Sequence, residues 1–354
     1  MRSFIRRTFE GFWSALTCQR FGRSRLSRPA VNGKLGRQVA QDKSADRSAY
    51  PKSYNMLDVQ IEPESVRIDS HFVVSFKRTL RLPEDGTLHK TPPNFGVFPI
   101  YRVEEFAERL PKNWQRERSV FIPMYQREGL YIRFDNEKAW QPYAVKVSIG
   151  GINAISGEPQ ANTLRAEPQD YLVCPPQLWL DGIYTDRGTT RQFLATPLGQ
   201  GETVEGALSG SENVGGIQLT IFAPKPGTFP ENAPETKATL RPTAFGRRPG
   251  AETAEMGLAA GAGIKQKVLP DQYGIETWDQ NNFAELTVHI LNSAQFQSIT
   301  GLDAPATTIN EETYAENGFP WFPLYGETEQ GDVSPSDLLA GVKTVGEIDE
   351  RKNE

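Results

Sequence analysis

The sequence predicts a mainly β fold, antiparallel sandwich or barrel-like sheets with a few short helices. Three observations point there. Apolar and polar residues alternate with a period of two in several short runs, the pattern of strands resting one face on a core. Gly (31) and Pro (26) are spread along the chain and bound those runs. Gly150-Gly151 separates two of them, where a tight hairpin needs positive φ.

In chain order, Phe72, Val74, Phe76, Leu80 and Leu82 alternate with Ser75, Lys77, Thr79 and Arg81, a long half-buried strand ending at the turn 83–86. Val103, Phe106, Ala107 and Leu110 share one side of a short helix. Strands come next at 119–124, 130–134 and 143–149, the last leading through the two glycines into Ile152. The segment 171–222 is dense in short runs bounded by Gly or Pro, suited to a meander or sandwich. Six prolines between 224 and 255 mark a linker or exposed insertion. The glycine-rich run 256–263 reads as a flexible or closely packed loop, since its spacing suits no nucleotide-binding motif. Leu286, Val288 and Ile290 give a last strand. A capping-box spacing, Thr308 to Glu311, starts a short helix over 308–317, and 319–325 forms an aromatic and proline plug. Leu338, Leu339, Val342 and Val345 fall on one side of a short C-terminal helix that Gly341 weakens.

Charge divides the chain. The first 52 residues carry twelve Lys or Arg against three acids, and the remaining 302 carry 27 against 41. The leading arm has its own pattern, with Ile5, Phe9, Phe12, Trp13 and Leu16 on one helical face among arginines. That pattern fits a disordered or spurious extension ahead of Met56, a mitochondrial-type targeting segment, or a surface arm. The organisation expected is a basic arm at 1–55, a β-rich domain at 56–223, a Pro-rich linker at 224–255, the second part of the β-rich module at 256–325 and a polar tail at 326–354. An acidic body disfavours nucleic acid as a partner. No run approaches a spanning helix, and Cys18 and Cys174 offer no disulfide framework. A soluble protein of a reducing compartment is expected, cytoplasmic or, through the arm, mitochondrial.

The runs Pro123-Met-Tyr-Gln126, Ala144-Val-Lys-Val147 with Ile152-Asn-Ala154, Trp179-Leu-Asp-Gly182, and Arg191-Gln-Phe193 with Pro197-Leu-Gly199 resemble those of an uncharacterised family of conserved hypothetical proteins from bacteria and fungi. Gly215-Gly-Ile-Gln218 and Met256-Gly-Leu258 extend the likeness over most of the body. The resemblance implies one coherent module from about Met56 to Tyr325 and carries over no catalytic residue.

Motifs for chemistry are sparse. His71, His89 and His289 are the only histidines, and none has metal-helix spacing, so no metal or cofactor is expected. His71 and His289 fall on strands, as hydrogen-bonded structural histidines. Cys174 precedes two prolines and reads as a buried apolar side chain. Among the carboxylates, Asp181 sits in an Asp-Gly turn beside Trp179, with Tyr184 and Arg191 downstream and Glu202 and Glu205 in the next loop or strand. A Trp platform with two acids is the least equipment for binding or hydrolysing a sugar, although turn chemistry alone accounts for Asp181. Two readings remain. The first is a non-enzymatic β-rich binding or assembly module for a protein, small-molecule or carbohydrate ligand, with homo-oligomerisation open. The alternative is a carbohydrate-active hydrolase using Asp181, Glu202 or Glu205, with Trp179, Tyr184 and Arg191 on the ligand.

Overall fold

The computed structural model describes residues 55–91, 94–114, 118–234, 255–303 and 336–352. The arm helix, the helix at 308–317 and the aromatic plug lie outside them. The chain separates into two units, Met1–Pro51 and Lys52–Glu354, and every described strand and helix belongs to the second.

The strands are β1 (Asn55–Met56), β2 (Val59–Ile61), β3 (Val66–Ile68), β4 (Phe72–Thr79), β5 (Tyr101–Arg102), β6 (Ser119–Met124), β7 (Gly129–Asn136), β8 (Tyr143–Ile149), β9 (Ile152–Asn153), β10 (Leu172–Cys174), β11 (Trp179–Leu180), β12 (Gly182–Asp186), β13 (Thr189–Pro197), β14 (Ile217–Pro224), β15 (Glu255–Lys265) and β16 (Trp278–Asn292). All are hydrogen-bonded into one mainly antiparallel sheet, whose main path runs β10-β8-β14-β16-β15-β13-β7-β4-β3-β2. The path ends at β10 and β2 without joining them, so the barrel-like alternative gives way to an open sheet.

β15 meets β16 through only two residue pairs, Glu255 with Leu291 and Met256 with Ile290, a short junction that divides the main path into two arms. β16 runs on beside β14, and its other edge takes β6 and β1 in parallel. The two arms of the sheet share one core. Val145 and Val147 of β8, Leu219 and Ile221 of β14 and Leu286 and Val288 of β16 cluster with Phe72, Val74 and Phe76 of β4 and Ile132 and Phe134 of β7. The Phe72 and Tyr143 rings, one from each arm, lie 4.9 Å apart. Each such fully buried aliphatic or aromatic side chain contributes roughly 1.5–3 kcal/mol relative to exposure.

Several elements differ from the sequence reading for identifiable reasons. The run 256–263 is the centre of strand β15, not a loop, and its glycines serve close packing. A Cβ on Gly257 would meet Thr203 at 2.8 Å, and one on Gly261 would meet Leu194 at 2.8 Å. Glu205 lies on a helix, α1 (Val204–Ser209), whose N-cap Thr203 accepts from the Gly206 amide and which Gly210 ends with φ 72°. A second helix, α2 (Ser293–Thr300), is capped by Asn292 and stopped by Gly301. The C-terminal pattern splits at Gly341 into α3 (Asp337–Ala340) and α4 (Val345–Lys352). Leu339, Val342 and Val345 are buried while Leu338 stays exposed. The Gly150-Gly151 hairpin forms as expected, with φ of 56° and 77° between Ile149 and Ile152.

Candidate ligand-binding cleft

Asp181 joins β11 to β12 and is fully buried. One carboxylate oxygen, Oδ2, accepts from Thr91 Oγ1 at 2.5 Å and from Trp179 Nε1 at 3.0 Å. Its backbone N–H donates to Gln266 Oε1 at 2.9 Å. Burial outweighs those two donors and pushes the carboxyl up to about 7. The Asp-Gly pair is not a turn. Gly182 opens β12, and a Cβ there would collide with the Arg191 carbonyl oxygen, an approach only glycine permits.

The other predicted residues belong to separate networks. Glu202 Oε2 accepts from Arg127 at 3.0 Å and from Thr196 Oγ1 at 2.9 Å, and the same Arg127 nitrogen reaches Asp349 of α4 at 2.8 Å. Glu205 accepts three backbone N–H groups, from Asn213, Val214 and Gly215, at 2.8–2.9 Å, and so pins the 210–216 loop. Tyr184 is buried and its hydroxyl accepts from the Gly188 amide at 3.4 Å. Arg191 donates to the Val342 carbonyl rather than pairing with Asp181 or Asp186. The structure thus brings Trp179 to Asp181, while Glu202 is held by Arg127 and Thr196 and Glu205 by the 213–215 amides.

Arg191 also lines a cleft of about 670 Å³ with Glu84, Asp186, Asp337 and Glu347. Its polar groups are largely engaged in holding the C-terminal segment. Glu84 accepts the Gly346 amide at 2.6 Å, and Glu347 accepts the Thr344 amide at 2.6 Å.

A second cleft, of about 570 Å³, is built differently. Its floor is the hairpin turn between β3 and β4, in which Asp69 and Ser70 both take positive φ, 48° and 63°, and the His71 amide closes back on the Ile68 carbonyl. Asp and Asn are the non-glycine residues that best tolerate this region, and the pair matches a two-residue hairpin turn. The β7–β8 turn lies alongside, tied down by Glu137 N–H to the His71 carbonyl at 3.0 Å and by Lys138 N–H to Asn136 Oδ1 at 2.9 Å. Trp140 Nε1 and Gln141 Nε2 both donate to the Pro230 carbonyl, at 3.0 and 2.7 Å, which draws the loop after β14 over the cleft as a third wall.

At the centre, the Tyr143 hydroxyl donates to Asp69 Oδ2 at 3.0 Å and lies 3.1 Å from His71 Nε2. The phenol has one proton, and giving it to the carboxylate requires His71 to donate from Nε2. Nδ1 is then the unprotonated nitrogen. It is buried without a well-formed hydrogen bond, while the Asp69 backbone carbonyl and the Asp69 and Glu137 carboxylates favour protonation of the ring. Burial, with Lys138 nearby, holds the imidazole below its ordinary value; burial and Asp69 push the Tyr143 phenol up. Among the described residues, Lys138 forms no ion pair within 4.0 Å, and the Asp69 carboxylate accepts a side-chain hydrogen bond from Tyr143 alone.

Of these residues only His71 stands out in the sequence, as a hydrogen-bonded structural histidine, and that bond is present. Asp69-Ser70 between the apolar Ile68 and Phe72 is the turn signal that marks the floor. His89 lies 3.1 Å from Asp85, and His289 stacks on Trp114 at 4.3 Å. Cys174 is buried in the main core. Among the described residues no three His, Cys, Asp or Glu side chains converge as a metal site, and no helix is long and apolar enough to cross a membrane. No protein-family model, curated protein or solved structure matches the chain.

Proposed function

We propose that the protein is a non-enzymatic binding module and that the cleft at His71 and Tyr143 receives a small polar ligand. The observation that carries this reading is a pair of opposite charges, Asp69 and Lys138, neither of them in an ion pair, beside the Tyr143–His71 hydrogen bond in a cleft of about 570 Å³. That volume lies within the range of small-molecule sites, and convergent polar groups supply orientation in such sites. A thermal-shift screen of polar metabolites against the full chain and against Lys138→Glu tests it. Ligands that stabilise the parent chain and not the variant support the reading. No hits, or hits that stabilise both alike, count against it.

The hydrolase alternative has one favourable observation, the Asp181 carboxyl at about 7, a value suited to a general acid. Its support is weaker, because Thr91 and Trp179 already occupy that carboxylate and Glu202 answers to Arg127 and Thr196 in another network.

A further inference from the structure

We infer that the His71 cleft selects small zwitterions, free α-amino acids being the simplest, with Asp69 taking the ammonium and Lys138 the carboxylate. This rests on the binding reading above and names the ligand class for that site. The lining carries two cations, Lys138 and Lys225, and two anions, Asp69 and Glu231, so a ligand of single charge meets one repelling partner for each attracting one. Lys225 already leans toward Glu276 at 3.4 Å. Asp69 is exposed, as Glu231 is, but the Tyr143 hydroxyl places its carboxylate beside His71. Asp69 and Lys138 line the same cleft without forming an ion pair within 4.0 Å, and the Lys138 backbone N–H is capped by Asn136. Two opposite charges held apart in one cleft complement a ligand whose own charges are separated by a short spacer.

The remaining walls suit the rest of such a molecule. Gln141 commits its amide nitrogen to Pro230 and retains its oxygen as an acceptor for the ammonium, and the Asn282 amide supplies both donor and acceptor. Phe229, set edge-to-face on Tyr273 at 5.2 Å, gives an apolar wall for a side chain. A neutral sugar would use the amides and the aromatic ring but would leave both charges without a counter-charge.

Calorimetric titration of the full chain with free L-amino acids, their N-acetyl derivatives, their amides, and neutral monosaccharides separates the possibilities. The expected result is saturable binding of at least one free amino acid. Acetylation or amidation of that ligand weakens it about 10- to 100-fold, the effect of losing one charge-assisted contact. Asp69→Asn keeps the Tyr143 hydrogen bond and the turn, and it weakens the free amino acid while leaving the N-acetyl form unchanged. Lys138→Met does the same with respect to the amide. Equal binding of free and capped forms, or binding of a monosaccharide in place of amino acids with loss in Lys138→Glu, overturns the zwitterion assignment and leaves the binding reading standing. Absence of heat from every probe, together with a thermal-shift screen without hits, overturns both.

Discussion

The acids gathered after β10 and the charged groups around His71 behave in opposite ways. Asp181 Oδ2 accepts from Thr91 and Trp179, Glu202 Oε2 from Arg127 and Thr196, and both oxygens of Glu205 from three backbone amides. Asp69 and Lys138 sit on equally well-determined turns but keep capacity to spare. A carboxylate surrounded by donors stabilises a fold, since each buried amide needs an acceptor. A charge without an ion-pair partner stabilises little and is available to a ligand. The difference lies in partners, not in residue type.

Six variants put the contrast at risk. Glu205→Ala leaves three amides of the 210–216 loop without their acceptor, and it lowers the unfolding free energy by about 3–5 kcal/mol in urea titrations. A loss below about 1 kcal/mol would mean that Glu205 is as uncommitted as Lys138. Asp181→Asn reads out pH instead. A carboxyl held above its ordinary 3.8 favours the protonated folded state, so its contribution is intact below that pH and disappears as pH rises through about 7. The variant removes that slope. It exceeds the parent by about 1–4 kcal/mol at pH 8 and loses the advantage near pH 4.

Tyr143→Phe removes the hydroxyl between Asp69 and His71 and costs about 1–2 kcal/mol, because the buried His71 Nε2 loses its hydrogen-bond partner. His71 itself has the opposite sign to Asp181. Its neutral form is favoured on folding, so the stability it lends is lost as pH falls through 6.5, and an acid titration of His71→Gln lacks that step. The smallest effects are expected at Asp69→Asn and Lys138→Met, each within about 0.5 kcal/mol of the parent by denaturant unfolding. A large loss at either would make the cleft a structural staple like Glu205.

Much of the fold is legible in the sequence. Alternation in Phe72, Val74 and Phe76 and in Leu286, Val288 and Ile290 marks strands whose core faces the structure shows, and Gly150-Gly151 forms its hairpin. The glycines of β15 mislead because Gly in a run suggests a loop, whereas here Gly257 and Gly261 make room for Thr203 and Leu194. Helices α1 and α2 are signalled by Thr203 with Gly210 and by Asn292 with Gly301, but each is too short to show apolar periodicity. The cleft is less legible. His71 stands alone in the sequence, since Tyr143 is 72 residues away and Lys138 reaches the same place only through the pairing of β4 with β7. Asp181 stands out through Trp179, a true contact, yet its other partners, Thr91 and Gln266, are 90 and 85 residues away, where no local pattern links them to it.

Amide chemical shifts of the full chain, followed during titration with a ligand from the polar screen, locate the occupied cleft. Perturbed signals are expected to gather on Asp69, His71, Lys138, Gln141 and Asn282 while those of Trp179, Asp181 and Glu202 stay in place. Perturbations gathered on Trp179, Asp181 and Glu202 instead, with the His71 turn unmoved, would contradict the assignment of the ligand to the His71 cleft.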